Sequence, residues 1–137
     1  MKRIFLDSSV LFSATNSPTG GSAKLFTLRT IKLYTSPVVL AEVERNVRKK
    51  LHVYHLSRWF ILAKQLTILD QMPDPGRIKK ACAVIVSKDA VILAEAKMSK
   101  CIVLATLDRR HFMNEKVTKF LQPMQVMSPK EIIETVA

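Results

Sequence analysis

The chain is poor in several residue types that would by themselves announce a function. Cysteine occurs twice in 137 residues, as Cys82 and Cys101, both in apolar surroundings and at no metal-ligand spacing. The pair therefore reads as buried free thiols. Of the three histidines, His52 and His55 stand at i, i+3 but have no partner ligands nearby in sequence, so they read as surface or core residues. The lack of a Cys/His cluster argues against zinc. Glycine is equally scarce, and no G-x-G-x-x-G follows the first apolar run, Gly20-Gly21 lying too late for a dinucleotide-binding turn. That run ends in one acid, Asp7, where a receiver-type phosphoacceptor would carry an acidic pair. No stretch is long enough to span a bilayer, and the basic start "MKRIFLDSSVLF" is interrupted by Asp7 with no clear cleavage site. A cytoplasmic protein is the expectation.

Acidic residues are the other scarcity. Lys and Arg number 22 against 11 Asp and Glu, a formal charge of +11, while the apolar (48%) and charged (24%) fractions are ordinary for a globular protein. No internal repeat, low-complexity tract or linker is visible, so residues 1–137 read as one domain with one principal site. Such a basic balance points to a polyanion, with nucleic acid first, because cationic side chains release its counterions on binding. An anionic membrane surface is the weaker candidate, since the basic residues are spread along the chain and form no long amphipathic helix.

What the chain does contain is a pattern of short apolar runs alternating with helical stretches. "RIFL" (3–6) and "CIVLAT" (101–106) are continuous apolar runs of the kind found in strands covered on both faces. Between the first run and the alternating "IKLYTS" (31–36) lies "TGGSAKLFTLRT" (19–30), read as a helix with Ser22 as its cap. Ser36-Pro37 is a strong helix start, and Val39, Leu40, Val43, Val47 and Leu51 fall on one arc of the helix that follows. "LSRWFILAKQL" (56–66) predicts another helix anchored by Trp59 or Phe60, "TILD" (67–70) a short strand, and "MPDPG" (72–76) a loop. Helices are then predicted from Arg77 to about Val86 and from Lys88 to about Lys100, with Ser87 as the cap between them. A short helix around Arg110, a strand "MQVMS" (124–128) and a closing helix from Pro129 complete the pattern. Strands alternating with helices imply a parallel sheet covered on both sides, with right-handed crossovers.

In such a sheet ligands bind beyond the carboxyl ends of the strands, where the strand order reverses. Asp7 and Asp108 both lie just beyond such ends. Each could equally be a cap or an Asx-turn residue. Asp89 begins the series Asp89, Ile92, Leu93 and Ala96, so it continues an apolar stripe, although an acid in a first helical turn also suits the helix dipole. Glu44 has Arg48 at i+4, the spacing of a solvated ion pair, whereas Glu42 sits between Val38 and Val39 on the helical wheel. Glu42 is therefore the better site candidate, with Arg45 at i+3 as its alternative partner. Carboxylates gathered in a half-buried cleft repel one another unless a cation joins them, and oxygen ligands select Mg²⁺ or Mn²⁺.

The four acids in their contexts resemble the PIN-domain family of nucleases. "FLDSSVLFSA" resembles the family's first motif, with Ser9 two residues after the acid; "SPVVLAEVERNV" is similar to the second, at Glu42; "KDAVILAEAKMSKCIVLATLDRRHF" resembles the third and fourth, at Asp89 and Asp108 with Thr106 before the last acid. The resemblance spans essentially the whole chain. It implies a three-layer α/β/α sandwich around a five-stranded parallel sheet of order 3-2-1-4-5, and cleavage of a phosphodiester, usually in RNA, by a Mg²⁺- or Mn²⁺-activated water. It also implies a metal set of Asp7, Glu42, Asp89 and Asp108 supported by Ser9 and Thr106, and, as in many small prokaryotic members, a homodimeric toxin with an antitoxin partner. Single-stranded DNA is the other substrate to consider. Where some members carry a further acid after the fourth motif, this chain has Arg109, Arg110, His111 and Phe112, which disfavours a second ion; Asn114 is a minor candidate ligand. Arg109, Arg110 and Arg45 are candidate contacts to the phosphate backbone. The rival from another class is a nucleic-acid-binding or scaffold module of the same fold that does not cut.

Overall fold

The structure, a computed structural model, describes residues 1–136. Five parallel strands form one sheet of order β3-β2-β1-β4-β5: β1 (Lys2–Leu6), β2 (Ile31–Thr35), β3 (Thr67–Ile68), β4 (Val103–Ala105) and β5 (Gln125–Met127). β1 is central, and Ile4, Phe5 and Leu6 are fully buried, as the continuous apolar run requires when helices cover both faces. It pairs with β2 through Ile4 and Leu33 and with β4 through Ile4 and Val103. The chain leaves β1 toward β2 on one side and later toward β4 on the other, so the order reverses between β1 and β4. That is where an open parallel sheet forms a crevice.

The β1–β2 connection carries α1 (Ser8–Asn16) and α2 (Gly21–Leu25); the β2–β3 connection carries α3 (Pro37–Lys50) and α4 (His55–Ala63). After β3 come α5 (Pro75–Cys82) and α6 (Ser87–Ser99), after β4 come α7 (Arg109–Phe112) and α8 (Glu115–Leu121), and α9 (Pro129–Thr135) closes the described chain. α1 packs on α3 and α4, and α5 packs on α6, giving the helical layers of an α/β/α sandwich. Ser36 and Ser128 cap α3 and α9, each followed by proline in the first turn, and Ser128 forms a capping box with Glu131.

Several boundaries differ from the sequence expectation for identifiable reasons. The helix expected over 19–30 is the short α2, capped at the backbone of Gly20; Ser22 is buried in it and caps nothing, and Thr27 turns the chain by donating to the Lys24 carbonyl at 2.7 Å. Asp74 accepts from the Arg77 amide at 2.8 Å, so α5 starts at Pro75, inside the expected loop, and ends at Cys82. Val86, not Ser87, occupies the cap position of α6, and that end has no side-chain cap. α1 and α8 had no counterpart in the sequence reading; they start at caps from Asp7 and Asn114. Asn114 accepts from the Val117 amide at 3.0 Å, so its oxygen serves a helix end. Trp59 is the anchor of α4 at 2% exposure, with Phe60 outside at 42%. Cys101 is buried as expected, but Cys82 is exposed.

Candidate metal centre

Asp7 follows β1 directly and Asp108 follows β4 by three residues. Because β1 and β4 are hydrogen-bonded neighbours, with Leu6 opposite Ala105, both acids emerge at the carboxyl end of the sheet. Asp7 is 3% exposed. Its Oδ1 accepts from the amides of Ser9 (2.9 Å) and Val10 (3.3 Å) and from the Ser9 hydroxyl (2.5 Å), and its Oδ2 accepts from the Thr106 hydroxyl at 2.6 Å. Thr106 Oγ1 in turn accepts from the Asp108 amide at 3.0 Å, and Ser9 Oγ accepts from the Leu107 amide at 3.0 Å. Ser9 and Thr106 thus fasten the loop after β4 to the acid after β1. Burial pushes the Asp7 carboxyl up to about 6 from an ordinary 3.8, against hydrogen bonds from Ser9, Thr106 and Val10 that favour the charged form.

The tightest grouping lies beside this pair. Ligand atoms of Asp89, Asp108 and His111 all fall within 4.8 Å of one another. Asp89 comes from the first turn of α6, and its side chain is only 13% exposed. Burial raises its pKa; the charges of Lys88 and His111 oppose that rise and those of Asp108 and Glu42 add to it. Asp108 caps α7, accepting from the His111 amide at 3.0 Å through Oδ1 while Oδ2 meets His111 Nδ1 at 2.9 Å. Although partial burial alone would raise the Asp108 pKa, those two hydrogen bonds, with the charges of His111 and Lys88, hold it below the usual carboxylate value. Glu42 is half-buried on α3 and near enough to act on Asp89, while Glu44 pairs with Arg48 at 3.2 Å.

The donor set fits a hard divalent cation. Its donors are carboxylate oxygens plus one imidazole, and Asp89 Oδ2 is buried with no hydrogen-bond partner, an expense for an anionic oxygen that a cation would remove. Asp7 and Glu42 are not among the ligand atoms that converge within 4.8 Å, and the oxygens of Asp7 are engaged by hydroxyls and amides. Arg45, Arg109 and Arg110 are exposed, and none is in an ion pair among the described residues. Three residues of this region escaped the sequence reading. His111 was visible as i+3 from Asp108; Lys88 was visible only as the neighbour of Asp89. Glu95, 2% exposed and accepting from the Ser36 hydroxyl at 2.8 Å, is hidden inside the apolar run of α6.

Acids and an imidazole converging at the reversal point of a 3-2-1-4-5 parallel sheet define the class: an α/β/α domain with a carboxylate cluster beyond its strand ends. Within that class the chain belongs to the PIN-domain family, whose model matches residues 4–116. Solved structures agree with this fold. VapBC2 from Rickettsia felis, bound to a DNA fragment from their promoter, superposes with a TM-score of 0.71 at 18% identity, over 92% of this chain and 98% of that one. PAE2754 from Pyrobaculum aerophilum gives 0.69 at 14% identity over 97% and 93%. FitAcB from Neisseria gonorrhoeae gives 0.61 at 21% identity over 93% and 98%. No curated protein sequence matches the chain. Among the described residues no helix is long and apolar enough to cross a membrane.

Proposed function

We propose that the protein is a metal-dependent nuclease, most directly an endoribonuclease that hydrolyses RNA phosphodiesters, and the toxin of a toxin-antitoxin pair. The observation that carries the reading is the convergence of Asp89, Asp108 and His111 within 4.8 Å around an unpartnered buried oxygen, in a chain of the PIN-domain family. Asp89 and Asp108 would hold Mg²⁺ or Mn²⁺, with Glu42 and Asp7 reaching it directly or through water. A bound ion supplies Lewis acidity to a water and neutralises charge gathering on the scissile phosphate. The protein's own part is to fix the carboxylates: Thr106 and Ser9 orient Asp7 and the Asp108 loop, and the cap of α7 sets the Asp108 rotamer. Arg109, Arg110 and Arg45 are exposed and free to meet the phosphate backbone, consistent with a net charge of +11. The same reading makes the protein a cytoplasmic homodimer held in check by an antitoxin, with single-stranded DNA as the other substrate to test.

Purified protein incubated with mixed RNA and DNA, with and without Mn²⁺ or Mg²⁺, tests it. Metal-dependent cleavage that disappears in Asp108→Asn, with the fold kept, is the expected result. Cleavage undiminished in that variant, or binding of nucleic acid with no metal-dependent products, overturns it in favour of a non-cleaving module.

A further inference from the structure

One side chain in the cluster differs in kind from the rest. Asp89 and Asp108 offer oxygen, whereas His111 offers nitrogen, and it is Nδ1 that faces the acids. Nδ1 lies 2.9 Å from Asp108 Oδ2 and 4.0 Å from Asp89 Oδ2. Two ligand atoms on one octahedral ion, at bond lengths of about 2.1 Å, stand about 3.0 Å apart when adjacent and about 4.2 Å apart when opposite. Both separations leave room for one shared ion, although 2.9 Å is equally the length of a hydrogen bond from Nδ1 to Asp108 Oδ2. The imidazole is also held in place before any ion arrives: the His111 amide is tied to Asp108 Oδ1 at 3.0 Å, and the next residue, Phe112, is 3% exposed and anchors α7 in the core.

We propose that His111 is a nitrogen ligand of the metal centre and sets its ion preference, favouring Mn²⁺ over Mg²⁺. The inference rests on the nuclease reading for the presence of an ion but makes a separate claim about which atoms bind it. Mg²⁺ is hard, keeps its waters and is held through oxygen; Mn²⁺ shares the preference for oxygen but, as a first-row transition ion, gains more from an imidazole nitrogen. To bind, Nδ1 must be unprotonated, so the ring carries its proton on Nε2 and the contact to Asp108 becomes one between two ligands of the same ion. The competing arrangement keeps the proton on Nδ1, donates it to Asp108 Oδ2, and leaves His111 outside the coordination sphere.

Pulsed electron paramagnetic resonance of the full chain loaded with Mn²⁺ separates the two. Hyperfine coupling from a directly bound nitrogen is expected in the wild type and is expected to vanish in His111→Gln and His111→Asp. Calorimetric titration with Mn²⁺ and with Mg²⁺ should then show the Mn²⁺/Mg²⁺ affinity ratio falling by about tenfold in His111→Asp, where the nitrogen is replaced by oxygen. Mn²⁺ bound without nitrogen coupling overturns the proposal while leaving the nuclease reading in place. Coupling that persists in His111→Gln also overturns it, because the bound nitrogen is then not that of His111. Failure of the wild type to bind Mn²⁺ overturns the proposal, and failure to bind either Mn²⁺ or Mg²⁺ overturns the metal-dependent nuclease reading with it. Where the His111 variants do not fold, the His52→Gln/His55→Gln double variant decides: nitrogen coupling kept there belongs to His111, and coupling lost there overturns the proposal.

Discussion

Asp7→Asn is expected to stabilise the metal-free protein at alkaline pH while removing the proposed cleavage. The carboxyl is 3% exposed and its pKa rises from 3.8 to about 6 on folding. A group whose folded pKa is raised contributes stability that is present below the unfolded value and is lost as pH rises through the folded value. For Asp7 that window runs from about pH 4 to about pH 6, and the rise is worth about 3 kcal/mol. Asparagine is never charged, so the loss does not occur. Its oxygen can still accept from the Ser9 and Val10 amides, and Asn is as good a helix cap as Asp. Its amide nitrogen replaces the oxygen that accepts from Thr106, a bond worth about 1 kcal/mol. The net gain at pH 8 is therefore about 2 kcal/mol, shrinking and changing sign toward pH 4. Urea unfolding of both proteins in chelator, across pH 4 to pH 8, measures the difference directly. A variant less stable than the wild type at pH 8, or a difference that does not change with pH, would refute the reasoning.

Other substitutions probe separate parts of the candidate site and of the core. Thr106→Val removes the hydroxyl that donates to Asp7 at 2.6 Å and accepts from the Asp108 amide at 3.0 Å; cleavage should fall by roughly 10- to 100-fold with metal affinity reduced in calorimetry. Burial raises the Glu95 pKa, partly offset by the Ser36 hydroxyl, so Glu95→Gln should gain stability relative to wild type as pH rises above the ordinary carboxylate range; equal pH slopes in urea unfolding would count against it. Replacing Arg109 and Arg110 together with alanine should reduce the slope of log K against log salt for RNA binding by about two if both grip phosphates, and an unchanged slope assigns them to solvent. Trp59→Ala should lower unfolding free energy by about 3 to 5 kcal/mol, since the side chain is 2% exposed.

The fold was legible where burial writes itself into the sequence. A strand covered on both faces has no polar alternation, so "RIFL" could be read directly, and Ser36-Pro37 fixed the start of α3 because capping chemistry is local. What escaped was set by tertiary contact. Ser22 has the character of a cap but is buried within α2, and Ser87 has the same character but follows Val86 into α6. The strand around Leu104 is shorter than its apolar run because Ile102 lies outside at 45% exposure. Glu95 is unreadable for a related reason: an acid among Ile92, Leu93, Ala94 and Ala96 is a buried carboxyl whose hydrogen bond comes from the hydroxyl of Ser36, 59 residues away.

Asp7 and Asp108 are both helix caps, and under the proposed nuclease reading they would also serve the site, with the division running between the two oxygens of each carboxylate. Asp7 Oδ1 takes the amides at the start of α1 and Oδ2 faces Thr106; Asp108 Oδ1 takes the His111 amide at the start of α7 and Oδ2 faces the imidazole. Capping fixes the side chain's rotamer through one oxygen, and that aims the other beyond the strand end without spending a second residue on orientation. The sequence cannot separate the two roles because the same residue type at the same position serves both. It follows that Asp→Asn at either position retains an oxygen for the cap and alters the oxygen that faces the site, whereas Asp→Ala loses both. Stability should therefore separate Asn from Ala by about 1 kcal/mol at each acid, even where both are inactive.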